Sequence, residues 1–188
     1  MSTQIVIKSK SFFKDKINFL EMILSLNLKF GAYDENSNLI GGKFYAENQA
    51  VLFNPECLGM GIIFDGYRLN KGIVGIIIQP YTTESEINDV YKIINYICKK
   101  YKKSNIYLND EYITLGVLEE FKSRIIELSL ENLKLGCKRT VDCITHMRLA
   151  LTNFDVSEEF RDTFGYIENL KEFEEYIHNL QKEINYGS

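Results

Sequence analysis

The stretch from Gln49 to Pro80 constrains the fold most, because it contains three apolar runs separated by turn signals. The run "NQAVLFN" reads as a strand that Pro55 stops. The runs "GIIF" and "GIVGIIIQ" flank the connection "LNKG", whose length and glycine are typical of a β-hairpin. Gly41-Gly42 gives another two-residue hairpin signal upstream. Because these signals are local, they favour an antiparallel sheet.

Helical patterns alternate irregularly with these strands. After an opening strand, "TQIVIKS", Asp15 can begin a helix whose apolar residues recur at helical spacing: Ile17, Leu20, Ile23, Leu24 and Leu28. Thr83 and Glu86 form a capping box at the start of the clearest helix, and Gly136 is a natural C-cap for the next one. Since there is no regular βαβ alternation, we expect an α+β fold. It should be a mainly antiparallel sheet built from hairpins and packed by three or four helices, with a C-terminal amphipathic helix.

The C-terminal part has a different pattern and sets the expected domain organisation. We expect an α+β domain over residues 1–136 and a C-terminal extension over residues 137–188, packed on the same domain. Its last helix carries apolar residues at alternating steps of four and three, which form a heptad seam: Tyr166, Leu170, Phe173, Ile177, Leu180 and Ile184. This seam can close onto the domain, or it can bind a protein partner or a second copy in a homodimer. Two and a half heptads make a weak coiled coil, so the internal packing is favoured.

Composition excludes several classes of function. The chain has 188 residues and a net charge of −4, which argues against nucleic acid as a partner because phosphate binding needs a basic surface. A run of lysines at 99, 100, 102 and 103 is explained by the end of a helix, where cations are favourable. No run approaches the roughly 18 apolar residues of a membrane span, and no signal peptide is visible. We therefore expect a cytoplasmic protein with no membrane association.

The cysteines give no sign of a metal or cofactor. They are scattered, without a C-x-x-C pair or a nearby pair of histidines: Cys57, Cys98, Cys137 and Cys143. Structural zinc needs closely spaced thiolates or imidazoles. Scattered cysteines in the cytosol are usually reduced and buried. We therefore expect no metal and no cofactor.

The glycines in "ECLGMGIIFDG" raise the question of a phosphate-binding loop. A dinucleotide fingerprint needs G-x-G-x-x-G after a strand and before a helix. Here Gly59 and Gly61 lead into a β-run, and Phe64 stands where the third glycine would be. The G-K-[ST] of a P-loop is also missing. These glycines instead predict a bulge or a tight bend between two strands.

Four residues are candidates for catalysis. Cys57 could be a nucleophile if a base lay beside it. Glu56 and Asp65 flank the glycines and could act as an acid–base pair if the strands bent toward each other. His146, close to Cys143 in "CITHMR", belongs to the best Cys/His neighbourhood in the sequence.

The second histidine is assigned to the surface. His178 lies on the side of the last predicted helix that faces away from the apolar seam. A solvated position is therefore expected for it.

The run "AVLFNPECLGMGIIFDG", together with the opening strand and "SFF", resembles a group of Firmicute proteins, domain-of-unknown-function family 4299. The resemblance covers residues 1–115. The family pattern has an apolar strand, a [D/N]-P-E step and a G-x-G that leads into a second strand. No activity and no catalytic residues come with this family. The resemblance implies that Asn54, Pro55, Gly59 and Gly61 act as an architectural corner.

The sequence therefore predicts, first, a non-catalytic protein-interaction module. An alternative is a small-molecule-binding protein or hydrolase with a cleft near the Gly59/Gly61 corner. An immunity or chaperone-like protein is a further alternative, since a small acidic protein can mask a partner by charge complementarity.

Overall fold

The structure is a computed structural model that describes residues 2–10, 17–101, 103–138 and 144–185. Its centre is a sheet of eight strands: β1 (Thr3–Ser9), β2 (Lys29–Tyr33), β3 (Leu39–Gly41), β4 (Gln49–Asn54), β5 (Cys57–Asp65), β6 (Ile73–Ile78), β7 (Ser104–Leu108) and β8 (Glu111–Ile113). The spatial order is β3-β2-β4-β5-β6-β1-β7-β8, and all neighbours are antiparallel. The predicted α+β class with a mainly antiparallel sheet is confirmed.

Five helices and a small second sheet accompany these strands. The helices are α1 (Phe19–Ser25), α2 (Glu84–Lys100), α3 (Leu115–Lys138), α4 (Glu158–Phe164) and α5 (Lys171–Gln181). The second sheet pairs β9 (His146–Arg148) with β10 (Asn153–Asp155).

One of the two predicted hairpin turns has the expected place. The "LNKG" connection joins β5 to β6 through a 3-10 turn, Leu69–Lys71, and Gly72 follows it with a φ of 71°. The prediction of a hairpin turn at Gly41-Gly42 is wrong, because β3 ends there. The β2–β3 turn lies earlier, where the Asp34 carboxylate accepts hydrogen bonds from the backbone N–H groups of Asn36 and Asn38, both at 2.9 Å. Such an Asx arrangement closes a turn without glycine.

The helix boundaries show where local signals succeed and fail. The Thr83–Glu86 capping box begins α2 as predicted. Asp15, the predicted start of the first helix, lies outside the described residues, and α1 is capped by Asn18, whose side chain accepts from the Glu21 N–H at 3.2 Å. Gly136 does not end α3. It lies inside the helix, where a Cβ would come within 2.4 Å of Ile144, so the glycine permits close packing.

One face of the sheet is covered by α1, α2 and α3. Alternate residues of the central strands point into this layer and are buried: Ile5, Ile7, Ala50, Leu52, Ile62, Phe64, Val74 and Ile76. They meet the apolar face of α2, whose residues Val90, Ile94 and Ile97 are completely buried. This layer is the larger hydrophobic core of the molecule.

Residues 144–185 pack on part of the opposite face. Val51 and Phe53 of β4 and Leu58 of β5 contact the loop after β9, while Met60 joins a core made by α3, α4 and α5. Strand β4 is therefore buried on both faces, whereas β6 alternates between buried and half-buried residues. The C-terminal part thus covers the β4–β5 half of this face.

The predicted C-terminal amphipathic helix is present as α5, and a separate short helix, α4, precedes it. Ser157 caps α4 by accepting the N–H of Phe160 at 3.1 Å, and α4 ends at Phe164. A turn follows in which the Asn169 side chain accepts the N–H of Lys171 at 3.0 Å, where α5 begins. The heptad spacing therefore begins before α5 and ends beyond it.

Candidate functional site

The glycines of the predicted corner, Gly59 and Gly61, lie inside a single strand, β5, next to a register irregularity, and not in a bend between two strands. The β4–β5 register shifts between Leu52 and Asn54. Gly61 has a φ of 82°, a left-handed conformation that favours glycine. A Cβ at Gly61 would also lie 2.6 Å from the Val51 side chain. Asn54 closes the preceding turn by accepting the Glu56 N–H at 3.0 Å.

The carboxylate of Glu86 fills the space beside this corner. It accepts the Gly61 N–H at 2.5 Å, and its other oxygen accepts the N–H and the hydroxyl of Thr83 at 3.2 and 3.3 Å. A Cβ at Gly59 would lie 2.3 Å from the Glu86 carboxylate. The missing side chain at Gly59 therefore leaves room for the first turn of α2.

Glu86 is buried, and no cationic side chain among the described residues forms an ion pair with it. Its exposed fraction is 2%, and this burial raises the pKa of its carboxyl. Hydrogen bonds from the backbone of Met60, Gly61 and Thr83 act in the opposite direction, because they stabilise the charged form. All these contacts join α2 to β5, which gives Glu86 a structural role.

The C-terminal part supplies further polar groups to the same strand. Gln181 is completely buried; its amide nitrogen donates to the carbonyls of Gly59 and Ile177 at 3.0 and 3.1 Å, and its oxygen accepts the Leu151 N–H at 2.8 Å. The Ala150 N–H also donates to Gly59 at 2.8 Å. From the other side, Gln79 donates to the carbonyls of Met60 and Gly61 at 2.8 and 2.9 Å. Side chains and a loop therefore take the place of a neighbouring strand along this half of β5.

Two of the predicted catalytic residues, Glu56 and Cys57, lie together at a small cavity of about 170 Å³. His178 also lines this cavity, although the sequence assigned it to a free surface position. Its Nδ1 accepts the Leu58 N–H at 3.0 Å, so the proton of the neutral ring is on Nε2. That nitrogen then has no free lone pair with which to take a proton from the Cys57 thiol.

The other two candidates lie elsewhere. Asp65 is at the far end of β5, about 25 Å from the Glu56 end at the usual rise per residue, and it accepts the Tyr67 N–H at 3.1 Å. His146 forms an exposed pair with Asp155 at 2.6 Å, and its sequence neighbour Cys143 lies outside the described residues. The structure therefore does not bring Asp65 or His146 to the Cys57 cavity.

The six residues of the heptad seam are divided between interior and surface. Leu170, Phe173 and Ile177 are buried in the core formed by α3, α4 and α5. Tyr166 and Leu180 are exposed to 71% and 39%. Ile184 is half-buried and lies beyond the end of α5.

Ile184 lines a mainly apolar cavity, which we call the α1 groove. It has a volume of about 710 Å³ and lies between α1, β2 and the end of β3. Its walls are mainly aliphatic and aromatic: Leu20, Ile23, Leu24, Leu28, Phe30 and Ile184. The described part of the lining contains one charged side chain, Lys29, and no acidic one.

Two leucines of α1 make this groove unusual. Leu20 and Leu24 are exposed to 54% and 80%, whereas Met22 is completely buried. Both leucines share the helical spacing of Ile17, Ile23 and Leu28, but the structure buries those three residues and leaves the leucines exposed. The sequence could not have revealed these exposed leucines, because helical spacing alone does not show which face of α1 is buried.

The described residues offer no metal site: no group of three His, Cys, Asp or Glu side chains among them could hold an ion. Within the same part of the chain, no helix is long and apolar enough to cross a membrane.

A family model described as "Domain of unknown function (DUF4299)" matches residues 2–188 of this chain. The chain therefore belongs to this family. The family match extends past residue 115, the limit of the resemblance seen in the sequence, and includes the C-terminal part. No curated protein and no solved structure matches the chain.

Proposed function

We propose that this member of the DUF4299 family is a non-catalytic interaction module that binds an apolar segment of another protein in the α1 groove. The observation that carries the proposal is the exposure of Leu20 and Leu24 on the wall of an apolar groove of about 710 Å³. Contiguous apolar surface of this kind costs solubility and typically marks a binding site. The volume lies within the range of natural binding clefts.

The shape and lining of the groove favour an amphipathic helix as the bound segment. A helix presents apolar side chains at i, i+3, i+4 and i+7 along one face, which fits a groove with aliphatic walls. Ile23 and Leu28 are buried beneath the exposed leucines, so the floor is held by the core. A preformed floor lowers the cost of ordering on binding.

Charge favours a different protein over a second copy of this chain. Lys29 is the charged residue of the described lining, and an acidic residue beside the apolar segment of the partner would complement it. A second copy would present the same face with the same lysine and no acidic residue to neutralise it. We therefore expect a partner whose apolar segment has acidic flanks.

We also propose that the protein is located in the cytoplasm. Cys57, Cys98 and Cys137 are free thiols, which is usual for proteins of a reducing compartment.

The proposal is tested with a labelled synthetic amphipathic helix that has acidic flanks, together with a matched helix with basic flanks. Fluorescence anisotropy measures binding to the wild-type protein, to Leu24→Glu and to Leu135→Glu. Leu135 is a matched control because it is a leucine exposed to 52% on α3. We expect the acidic-flanked helix to bind at least about tenfold more tightly than the basic-flanked one. Leu24→Glu should weaken this binding at least about tenfold, and Leu135→Glu should leave it unchanged.

Three results would contradict the proposal. The first is that neither helix binds measurably at any accessible concentration, and the second is that the two glutamate variants bind the helix equally well. Sedimentation of the wild-type protein could also reveal a dimer that Leu24→Glu dissociates, in which case a second copy occupies the groove. Lys29→Glu provides a separate check, since it should reverse the preference for acidic flanks.

A further inference from the structure

A second cavity lies at the opposite edge of the sheet from the α1 groove. It has a volume of about 430 Å³ and is formed by the ends of β1 and β7, by β8 and by the beginning of α3. It does not share a lining residue with the α1 groove. Its occupancy would therefore be independent of the proposed function.

The inner wall of this cavity is mostly apolar. Tyr101 is completely buried and Ile106 is 3% exposed, and Ile113 and Leu115 are half-buried beside them. Cys98 also belongs to this wall; burial raises the pKa of its thiol, so it contributes as a neutral group. This floor suits the apolar body of a small molecule.

Two lysines stand at the rim. Lys10 and Lys103 both line the cavity and are exposed. Their positions are linked, because the Lys10 N–H donates to the Lys103 carbonyl at 2.7 Å, where β1 ends and β7 begins. No ion pair involves either ammonium group among the described residues, and the described lining has no carboxylate.

Hydroxyl groups complete the polar part of the lining. Thr114 accepts the Val117 N–H at 3.2 Å, which leaves its hydroxyl proton available for a ligand. The Ser104 hydroxyl donates to the Cys98 sulfur at 3.7 Å and can accept from a ligand. Tyr112, which is 58% exposed, packs edge-on against Tyr107 with ring centres 6.0 Å apart. Hydroxyl donors and two ammonium groups around an apolar floor are complementary to an anionic head group on an apolar or aromatic body.

We propose that this cavity binds a small molecule with a phosphate or carboxylate group on an aromatic or aliphatic body, with Lys10 and Lys103 contacting the anion. The two halves of the ligand make separable contributions. The anionic group is attracted electrostatically by the two lysine ammonium groups, which form no ion pair with any other described residue. The body gains by covering Tyr112, Ile113 and Leu115.

The test uses phenyl phosphate as the probe, with inorganic phosphate and phenol as its two halves. Nuclear magnetic resonance titration follows the backbone amides of Ser104, Ile113 and Leu115. We expect phenyl phosphate to bind at least about tenfold more tightly than either half, because it uses both parts of the cavity. The double variant Lys10→Glu/Lys103→Glu should weaken phenyl phosphate at least about tenfold. Tyr112→Ala should weaken phenyl phosphate more than inorganic phosphate.

Lys43→Glu is the control for charge. This lysine is exposed and follows β3, at the other edge of the sheet, so the variant should bind phenyl phosphate as the wild-type protein does. The replaced lysines are also exposed, so folding should be preserved, and the amide spectrum checks it. Equal binding of phenyl phosphate and inorganic phosphate would overturn the proposal, as would retention of wild-type affinity by the double lysine variant.

Discussion

Alanine at Gly59 should destabilise the protein strongly, because the added Cβ would occupy the position of the Glu86 carboxylate. The three nearest atoms to that Cβ all belong to Glu86, at 2.3, 2.3 and 2.7 Å. Gly59 does not have a positive φ, so the backbone itself accepts alanine. Displacing the carboxylate removes the half of the capping box in which Glu86 accepts the Thr83 N–H, worth about 0.5–2 kcal/mol. It also leaves the Gly61 N–H without its acceptor, at about 1–3 kcal/mol. The sum is about 1.5–5 kcal/mol, a large share of the stability of an ordinary domain.

A double-mutant cycle in urea, followed by circular dichroism, separates this collision from a general effect of alanine in the strand. Glu86→Ala removes the same cap and the same acceptor, so it should cost a similar amount. In the Glu86→Ala background the space beside Gly59 is empty, and Gly59→Ala should then cost little. The coupling energy between the two sites should be about 2 kcal/mol or more.

Gly116→Ala is the matched control, because the nearest atom to its Cβ would be 3.9 Å away. This glycine lies in the first turn of α3, where alanine should stabilise by up to about 1 kcal/mol. If the costs of Gly59→Ala and Glu86→Ala simply add, to within about 0.5 kcal/mol, the carboxylate does not occupy the glycine corner and the reasoning fails.

Three further predictions concern the same region. Burial raises the pKa of Glu86 in the folded state above 4.5. The protonated Glu86 side chain therefore contributes its full stability to the folded protein below pH 4.5, and this contribution is lost as the pH rises through the folded pKa. The unfolding free energy of the wild type relative to Glu86→Gln should therefore fall over that range, and a flat difference would contradict the raised pKa. Gln181→Leu should cost about 1–3 kcal/mol and speed hydrogen exchange at the Leu151 amide, whereas Asn179→Leu, at an exposed site of the same helix, should stay within about 0.5 kcal/mol. Phe173→Ala should cost about 3–5 kcal/mol in one cooperative transition, and a separate early transition would mean that the C-terminal part unfolds by itself.

The strands and the strongest helix could be predicted because their signals are local. The β5–β6 hairpin depends on one turn, and the start of α2 depends on two residues three positions apart. The capping box at Thr83 and Glu86 gave the beginning of the helix. It could not show that the Glu86 carboxylate also reaches Gly61, because that contact spans 25 residues.

The position of α1 illustrates a different limit. A helix of seven residues makes only about two turns, so more than one face satisfies an apolar period. Leu20 and Leu24 fit helical spacing as well as Phe19, Met22 and Ile23, which are the residues that the structure buries. Tertiary packing decides between such faces, and here it leaves the two leucines on the surface. The candidate groove therefore could not be found from the periodicity alone.

The heptad seam shows the same limit in the C-terminal part. Leu170, Phe173 and Ile177 keep their spacing and are buried, because α5 is amphipathic and packs on β5. Tyr166 precedes the turn that starts α5, and Leu180 points away from the core, so neither continues the seam. The residues between α4 and α5 form a turn in which the Asn169 side chain accepts the Lys171 N–H. A period of 3.5 residues in the apolar pattern cannot reveal such a side-chain-to-backbone hydrogen bond, which competes locally with the helix.

The unequal pairing of β5 explains why the C-terminal part packs where it does. The strand has nine residues, but its described register with β6 covers only Ile63, Phe64 and Asp65. The rest of that edge is buried and therefore needs other partners for its backbone. Glu86 and Gln79 supply some of them from one side, and Gln181, His178 and Ala150 supply others from the C-terminal part. Residues 144–185 thus satisfy polar groups as well as cover apolar ones, which ties them to the sheet more specifically than hydrophobic burial alone would.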